Sequence, residues 1–254
     1  MRALGREETS AADFGPTQRT RSSNEARGGR LGLSRLVLAM TLAVLLSVAS
    51  VSTALAGLVT PHRIDDRFSG QAIDSTVWWF HSSQPDQVTL AEGSGQITVN
   101  VSAGATNDFD AGLVAQCRAS GDFDARLSFA LTAWPALDGV GVNLAAEDTG
   151  GFNVYRASAS GGDSYGAFLP PAGATVPATG SSGTLRLVRE GSTMSAYYLS
   201  DHHWVAIASG PGPTADVHIG MGVFNISAAT AFGRQQATVE FNEFHLFADA
   251  IACG

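Results

Sequence analysis

Residues 183–200, GTLRLVREGSTMSAYYLS, place the tightest constraint on the fold. Leu185, Leu187 and Arg189 alternate with Arg186 and Val188, the period-2 pattern of a strand. Glu190-Gly191-Ser192-Thr193 supplies turn residues, and a second run rich in aromatics follows at 194–199. Two such runs around a short glycine-containing turn predict a β-hairpin.

The same grammar continues along the chain after residue 60. Ile97, Val99 and Val101 alternate with polar residues, and residues 110–117 form another apolar run. Phe123, Ala125, Leu127, Phe129 and Leu131 share one face of a strand whose other face carries Asp122, Asp124, Arg126 and Ser128. Residues 140–146 and 152–157 read as a hairpin across Glu147-Asp148-Thr149-Gly150-Gly151. Gly, Pro and Ser crowd residues 161–183, which predicts a long surface loop with at most one short strand. Residues 204–208 pair back on the central hairpin, 217–224 form a further strand, and 237–247 close the domain. In that last strand Val239 and Phe241 share a face with Phe244 and Leu246 only if a bulge sits at Asn242-Glu243. About a dozen short strands and no helix beyond a turn predict two packed antiparallel sheets.

The first 56 residues differ in kind. A basic, polar stretch precedes the apolar run LVLAMTLAVLL at 36–46, and Ala54-Leu55-Ala56 supplies a small-x-small cleavage pattern. These features predict a secretory signal peptide over residues 1–56, with an uncleaved signal anchor, the one route to a membrane, as the alternative. Residues 57–254 then form one exported bacterial domain. Seven of the fifteen Arg fall before residue 57, and the chain has no Lys. Eight Arg against nineteen Asp and Glu leave residues 57–254 with a formal charge of −11. Such a surface repels phosphate backbones and argues against nucleic acid as a partner. Cys117 and Cys253 are the two cysteines. In an oxidising compartment they are expected to form a disulfide, the alternative being a buried Cys117 and a free Cys253 on a frayed tail.

Several short motifs occur in a telling order: Asp66-Arg67-Phe68 with Ile73-Asp74 and Trp78, then Gly121-Asp122-Phe123, then the hairpin from Gly139 to Arg156. Leu185-Arg186-Leu187-Val188-Arg189, Asp201-x-x-Trp204 and Phe241-Asn242-Glu243-Phe244 follow. Together they resemble the concanavalin A-like lectin/glucanase superfamily over residues 64–248. They are most similar to its small laminin-G-like modules of bacterial secreted proteins, including the domain at the end of some β-xylosidases. The resemblance implies an all-β fold, a concanavalin A-like β-sandwich or jelly roll of two antiparallel sheets, with a carbohydrate site on the concave one.

The glucanases of that superfamily carry their acids on one strand as E-x-D-x-x-E, and this chain has no such run. Glu240 and Glu243 flank the expected bulge and read as solvated carboxylates. His202-His203 reads as a polar turn, since adjacent strand residues point to opposite faces and rarely share an ion. Asp108 and Asp110, in the oxygen-rich loop at 106–110, are candidate ligands for a structural Ca2+. Sugars present apolar C–H faces beside fixed hydroxyls, so aromatic and polar residues in alternation mark candidate sites. Tyr155, Arg156, Arg186, Tyr197, Tyr198 and Trp204 are the candidate ligand-binding residues. The function expected is polysaccharide or glycan binding, or cell-surface recognition, without catalysis. The alternatives are a glycan-active hydrolase or lyase and a purely structural or adhesion domain. Oligomeric state is open.

Overall fold

The structure is a computed structural model that describes residues 62–105, 109–135, 139–148, 151–159, 161–225 and 235–253. The predicted signal segment lies outside the described residues. The strands are β1 (His62–Asp66), β2 (Trp78–Ser82), β3 (Val88–Gly93), β4 (Gln96–Val101), β5 (Asp110–Ala133), β6 (Val140–Ala146) and β7 (Phe152–Ala159). They continue with β8 (Gly162–Leu169), β9 (Ala172–Pro177), β10 (Ser182–Glu190), β11 (Thr193–Ser200), β12 (His203–Pro211), β13 (Val217–Asn225) and β14 (Ala237–Cys253). Among the described residues the sole helical segment is a 3-10 turn, Pro85–Gln87. None of their helices is long and apolar enough to cross a membrane.

All pairings are antiparallel, and they build two layers that share one strand. The front layer runs β2-β5-β13-β6-β7-β8-β9. The back layer runs β3-β4-β14-β5-β10-β11-β12, with β1 beside β14. Strand β5 is 24 residues long and belongs to both. Its first half pairs β2 and β13, and its second half pairs β10 and β14. The change of layer falls at Gly121, whose φ of +68° suits glycine. A Cβ there would also meet the Asp249 carboxylate at 2.4 Å.

The core lies between the layers and follows the alternation read from the sequence. Leu127, Leu185, Leu187, Val239, Phe241, Phe244 and Leu246 come from the back layer, and Leu113, Val142, Leu144, Val154 and Ile219 from the front. Trp78 is buried, packs against Phe244 at 4.9 Å and donates its indole N–H to Asp66 at 2.8 Å. The bulge expected in the last strand is present, as a register shift between Phe241 and Glu243. Cys117 and Cys253 form a disulfide between register partners of β5 and β14.

Two readings of the sequence are corrected. The runs at 110–117 and 123–133 are one strand, because Gly121 bends the chain without breaking its hydrogen bonding. Residues 161–183 are not a loop: they hold β8, β9 and the start of β10. The Gly- and Pro-rich composition hides a working alternation there, since Tyr165, Ala167 and Leu169 point into the core while β7 and β9 supply backbone partners. Pro170-Pro171, joined by a cis peptide, makes the turn between β8 and β9.

Candidate functional site

The six candidate ligand-binding residues separate by strand parity. Tyr155 lies on the outer face of the front layer, paired with Asn143 and Gly166. Its neighbour Arg156 points inward and is 1% exposed, with Nη2 donating to Asp163 at 2.6 Å and Nη1 to the Ala157 carbonyl at 2.7 Å. Arg156 is therefore a core ion-pair residue and not a surface contact. Tyr198 points toward the sandwich interior and stacks on Tyr165 at 4.4 Å, so it too leaves the candidate surface. Arg186, Tyr197 and Trp204 come together, but on the outer face of the back layer.

The front layer carries a feature that single positions do not reveal. One rung crosses all seven strands: His81, Gly112, Gly222, Asn143, Tyr155, Gly166 and Thr175 are successive register partners. The next rung reads Trp79, Val114, Gly220, Ala145, Asn153, Phe168 and Gly173. On the other side lie Asp110, Phe224, Gly141, Ala157, Ser164 and Pro177. With strands about 4.8 Å apart, seven of them span roughly 29 Å. The outer face of this layer thus carries a band, called the trough below, with glycine at six of these positions and rings and polar groups between them.

The glycines let long side chains lie flat. The Tyr155 ring occupies the space above Gly166, where a Cβ would meet its Cζ at 2.2 Å. The Glu147 carboxylate lies over Gly220, where a Cβ would stand 3.0 Å from Oε1. Gly112 and Gly222 serve a closer approach of strands, because a Cβ on Gly112 would sit 2.0 Å from the Met221 carbonyl oxygen. Trp79 and Phe168 remain partly exposed, at 39% and 49%, and the Tyr155 ring meets Phe224 edge-on at 5.9 Å.

A small hollow in the trough, about 40 Å³, is lined by His81, Asp110, Asn143, Glu147 and Phe224. His81 Nε2 lies 3.2 Å from Asp110 Oδ2. That bond, with the Asp110 and Glu147 charges and the Gly112 backbone, raises the imidazole pKa against the opposing effect of burial. Asp110 is lowered, first by the His81 hydrogen bond. Glu147 is raised by burial and by the charges of Asp110 and Asp148, with His81 acting the other way. His81 Nδ1 is buried against the sheet and makes no well-aligned hydrogen bond, as does Asn153 Oδ1 in the next rung. Buried polar atoms of this kind cost about 1–3 kcal/mol each.

The β6–β7 turn that delivers Glu147 is held from one side. Asp148 lies 3.3 Å from Arg118 Nη2 and 3.0 Å from His218 Nδ1, the latter within ion-pair distance but outside hydrogen-bond geometry. Trp79 packs edge-on against His218 at 4.8 Å. Burial, listing against the Asp148 charge, lowers the His218 pKa.

Of the two candidate calcium ligands, Asp108 lies outside the described residues and Asp110 is engaged with His81 and Ser83. Among the described residues no group of three or more His, Cys, Asp or Glu has an arrangement that could hold a metal ion. Glu243, at the bulge, pairs with Arg67 at 3.6 Å and His245 at 3.2 Å. His202 sits in the β11–β12 turn with φ +65°.

The pair makes a testable contribution to stability. His81 has a raised pKa, so its share is full below the ordinary value of about 6.5 and fades as pH rises through the folded value. Asp110 has a lowered pKa, so its share is full above about 3.9 and is lost as pH falls through the folded value. The melting difference between the wild type and His81→Gln is expected to peak near pH 5 and shrink on both sides. Because both groups are partly exposed, the peak should stay below about 1 kcal/mol. Glu147 has the opposite sign: its ionised form is disfavoured in the folded state, so Glu147→Gln should be no less stable than wild type at pH 8. A flat His81→Gln difference from pH 3 to 8 would show that the pair carries no folding energy.

No protein-family profile matches the chain, and no curated protein matches it in sequence. Solved structures do match in fold. A β-1,3-glucanase from Mycobacterium marinum superposes with a TM-score of 0.53 at 13% identity, covering 72% of this chain and 97% of that one. A protein of Mycobacterium tuberculosis described as an immunostimulatory antigen and pseudo β-1,3-glucanase gives 0.51 at 12%, covering 73% and 98%. The xyloglucan PUL protein GH43B of Bacteroides ovatus gives 0.52 at 16%, covering 72% of this chain and 38% of that one. At these identities the likeness is one of architecture: the chain has the antiparallel β-sandwich of glucanase-like proteins.

Proposed function

We propose that the chain is an exported glycan-binding module whose binding face is the outer surface of the front layer. The observation that carries this reading is the seven-strand trough with its glycines. It offers a long surface on which Trp79, Tyr155 and Phe168 present apolar area while His81, Asp110, Asn143 and Glu147 present hydrogen-bonding groups. A polysaccharide strand needs this combination along its length. The fold shared with glucanase-like proteins supports a glycan as ligand by analogy of fold alone. The outward positions of β7 are Asn153, Tyr155 and Ala157, none of them a carboxylate.

The test is equilibrium binding of the full chain to soluble β-1,3-glucan, xyloglucan and an array of other neutral polysaccharides. At least one should bind. Tyr155→Ala should weaken it about tenfold, the scale of one well-placed ring. Gly166→Ala should do as much without removing any ring, because the new methyl group displaces Tyr155. Unchanged affinity in both variants, or no binding to any glycan, would sink the reading.

One observation favours a second reading, hydrolysis. Asp110 and Glu147 line the same hollow and are displaced in opposite directions, the separation that general acid and base roles require. Release of reducing ends from a bound polysaccharide, abolished by Glu147→Gln, would establish it. Intact polysaccharide after prolonged incubation would leave binding alone.

A further inference from the structure

The back layer carries a separate cluster on its own outer face. Arg126 on β5, Arg186 on β10, Tyr197 on β11 and Ala206 on β12 are register partners in one rung. The adjacent residue Asp124 receives Nε and Nη2 from both guanidiniums, at 3.1 and 2.7 Å from Arg126 and 3.0 and 2.8 Å from Arg186. Arg186 lies 5.3 Å from the centres of both the Tyr197 and Trp204 rings, and Arg126 lies 5.7 Å from Trp204.

Two features set this apart from an ordinary surface ion pair. Like charges directly opposite on neighbouring strands destabilise a sheet, and a single carboxylate cannot neutralise two guanidiniums. The cluster therefore keeps one net positive charge within a domain of formal charge −11. Both guanidiniums are also held in place, by Asp124 on one edge and by rings on their faces. Among the described residues, Nη1 of neither donates a hydrogen bond. Fixed planar donors beside tryptophan and tyrosine rings suit a ligand with a carboxylate on an otherwise apolar ring.

We propose that Arg126, Arg186, Tyr197 and Trp204 form a second binding site, specific for the carboxylates of acidic polysaccharides of the polyuronate class. The uronate carboxylate takes the free edges of the guanidiniums, and the sugar's C–H face lies on Trp204 and Tyr197. Carboxylates from β5, β10 and β14 at one end of the cluster define the direction of approach. Asp122, Glu190 and Asp249 line a hollow of about 270 Å³ that Asp124, Arg186 and Phe247 also line. Two of them are engaged structurally, Asp122 Oδ1 accepting from Gly191 N–H at 2.6 Å and Asp249 Oδ2 from Asp122 N–H at 2.9 Å. Their charge repels a polyanion, so the polymer lies toward β11 and β12. This site is independent of the front trough and faces away from it. A module with both joins a neutral and an acidic polysaccharide.

The test is binding of the full chain to polygalacturonate, to fully methyl-esterified polygalacturonate and to poly-glutamate. At about 0.15 M salt the Debye length is ~8 Å, so the distant acidic surface is largely screened. Polygalacturonate is expected to bind at least about tenfold more tightly than either control, one carboxylate–guanidinium pair being worth that much. Arg186→Gln and Trp204→Ala should each remove about a tenfold share, whereas Tyr155→Ala on the front layer should change nothing. Asp124→Asn is the decisive variant: it removes the charge that competes with a bound carboxylate for both guanidiniums, so affinity should rise several-fold although the fold loses stability. A purely structural network predicts the opposite, affinity falling with stability. Equal binding of the esterified polymer or poly-glutamate overturns the proposal, as does unchanged affinity in Trp204→Ala or a fall in Asp124→Asn. If Arg186→Gln does not fold, the Trp204 and Asp124 variants decide.

Discussion

Replacing Arg189 with methionine is expected to destabilise the domain by about 3 kcal/mol, a fall in Tm of roughly 6–12 °C. Arg189 is 1% exposed, yet no carboxylate hydrogen-bonds to it among the described residues. Its partners are backbone carbonyls: Gly121 at 2.6 Å, Ala215 at 2.6 Å, Pro213 at 3.3 Å and Ala119 at 3.4 Å. Burial lowers its pKa, and the charges of Asp216, Asp122 and Asp249 act against that. The guanidinium thus gathers the stretch of β5 that changes layer and the segment entering β13, and its plane covers Phe123 at 4.9 Å. Methionine fills much of the volume but leaves those carbonyls without a donor, at about 1–3 kcal/mol for each well-buried one, less the desolvation cost that the charge no longer incurs. Lysine is expected to recover little, since one ammonium cannot match a planar fork. Denaturant midpoints with an unchanged m-value would measure the loss. A loss below about 1 kcal/mol would mean that water reaches the carbonyls when the guanidinium is gone.

Reduction of Cys117–Cys253, or its replacement by a pair of alanines, should cost about 3 kcal/mol. The cysteines are 136 residues apart, and the chain-entropy argument gives about 4–5 kcal/mol for a loop of that length. The realised loss should be smaller. Residues 238–248 of β14 stay paired with β5, so the loop remains nearly closed without the bridge. What the bridge adds is the pairing of residues 250–253, where the strand carries mostly small or exposed side chains. Melting with and without reductant measures the total. Hydrogen exchange locates it, with faster exchange expected at Ile251 and Ala252 before any change at Phe244. An unchanged melt would show that the paired strand alone fixes the C-terminal end.

The fold was largely legible because burial here follows simple alternation. Strands β10, β11 and the second half of β5 place leucine, methionine, phenylalanine and alanine on one face and mostly polar or charged residues on the other, and no helical period competes. The bulge at Asn242-Glu243 could be read for the same reason, since one extra residue restores the phase. Legibility failed where the informative partner lies far away in sequence. Residues 161–177 look like a loop until β7 supplies a pairing edge. Adjacent residues of one strand cannot both face outward, so Tyr155 with Arg156, and Tyr197 with Tyr198, each required a choice that only the other sheet determines. The front trough was the least legible part. Its glycines come from several strands, and its polar groups, His81, Asn143 and Glu147, acquire meaning only once the register is known. The sequence signal that could have found it is Gly220-x-Gly222 within an apolar strand, since glycine in a strand interior marks close approach by something else.

The shared strand has a consequence for how the chain reaches its native state. Strand β14 lies beside β1, β4 and β5, so its pairings join residues more than 100 positions apart. A nascent chain that ends before residue 237 lacks this neighbour, and the back half of β5 then keeps an open edge where the layer should be continuous. Synthesis adds about 5–20 residues per second, and high contact order slows closure further. The front layer can assemble during elongation, but the sandwich closes only after β14 emerges. A ribosome-bound chain stalled just short of β14 should therefore be cut by protease across its back-layer segments, while the released chain resists.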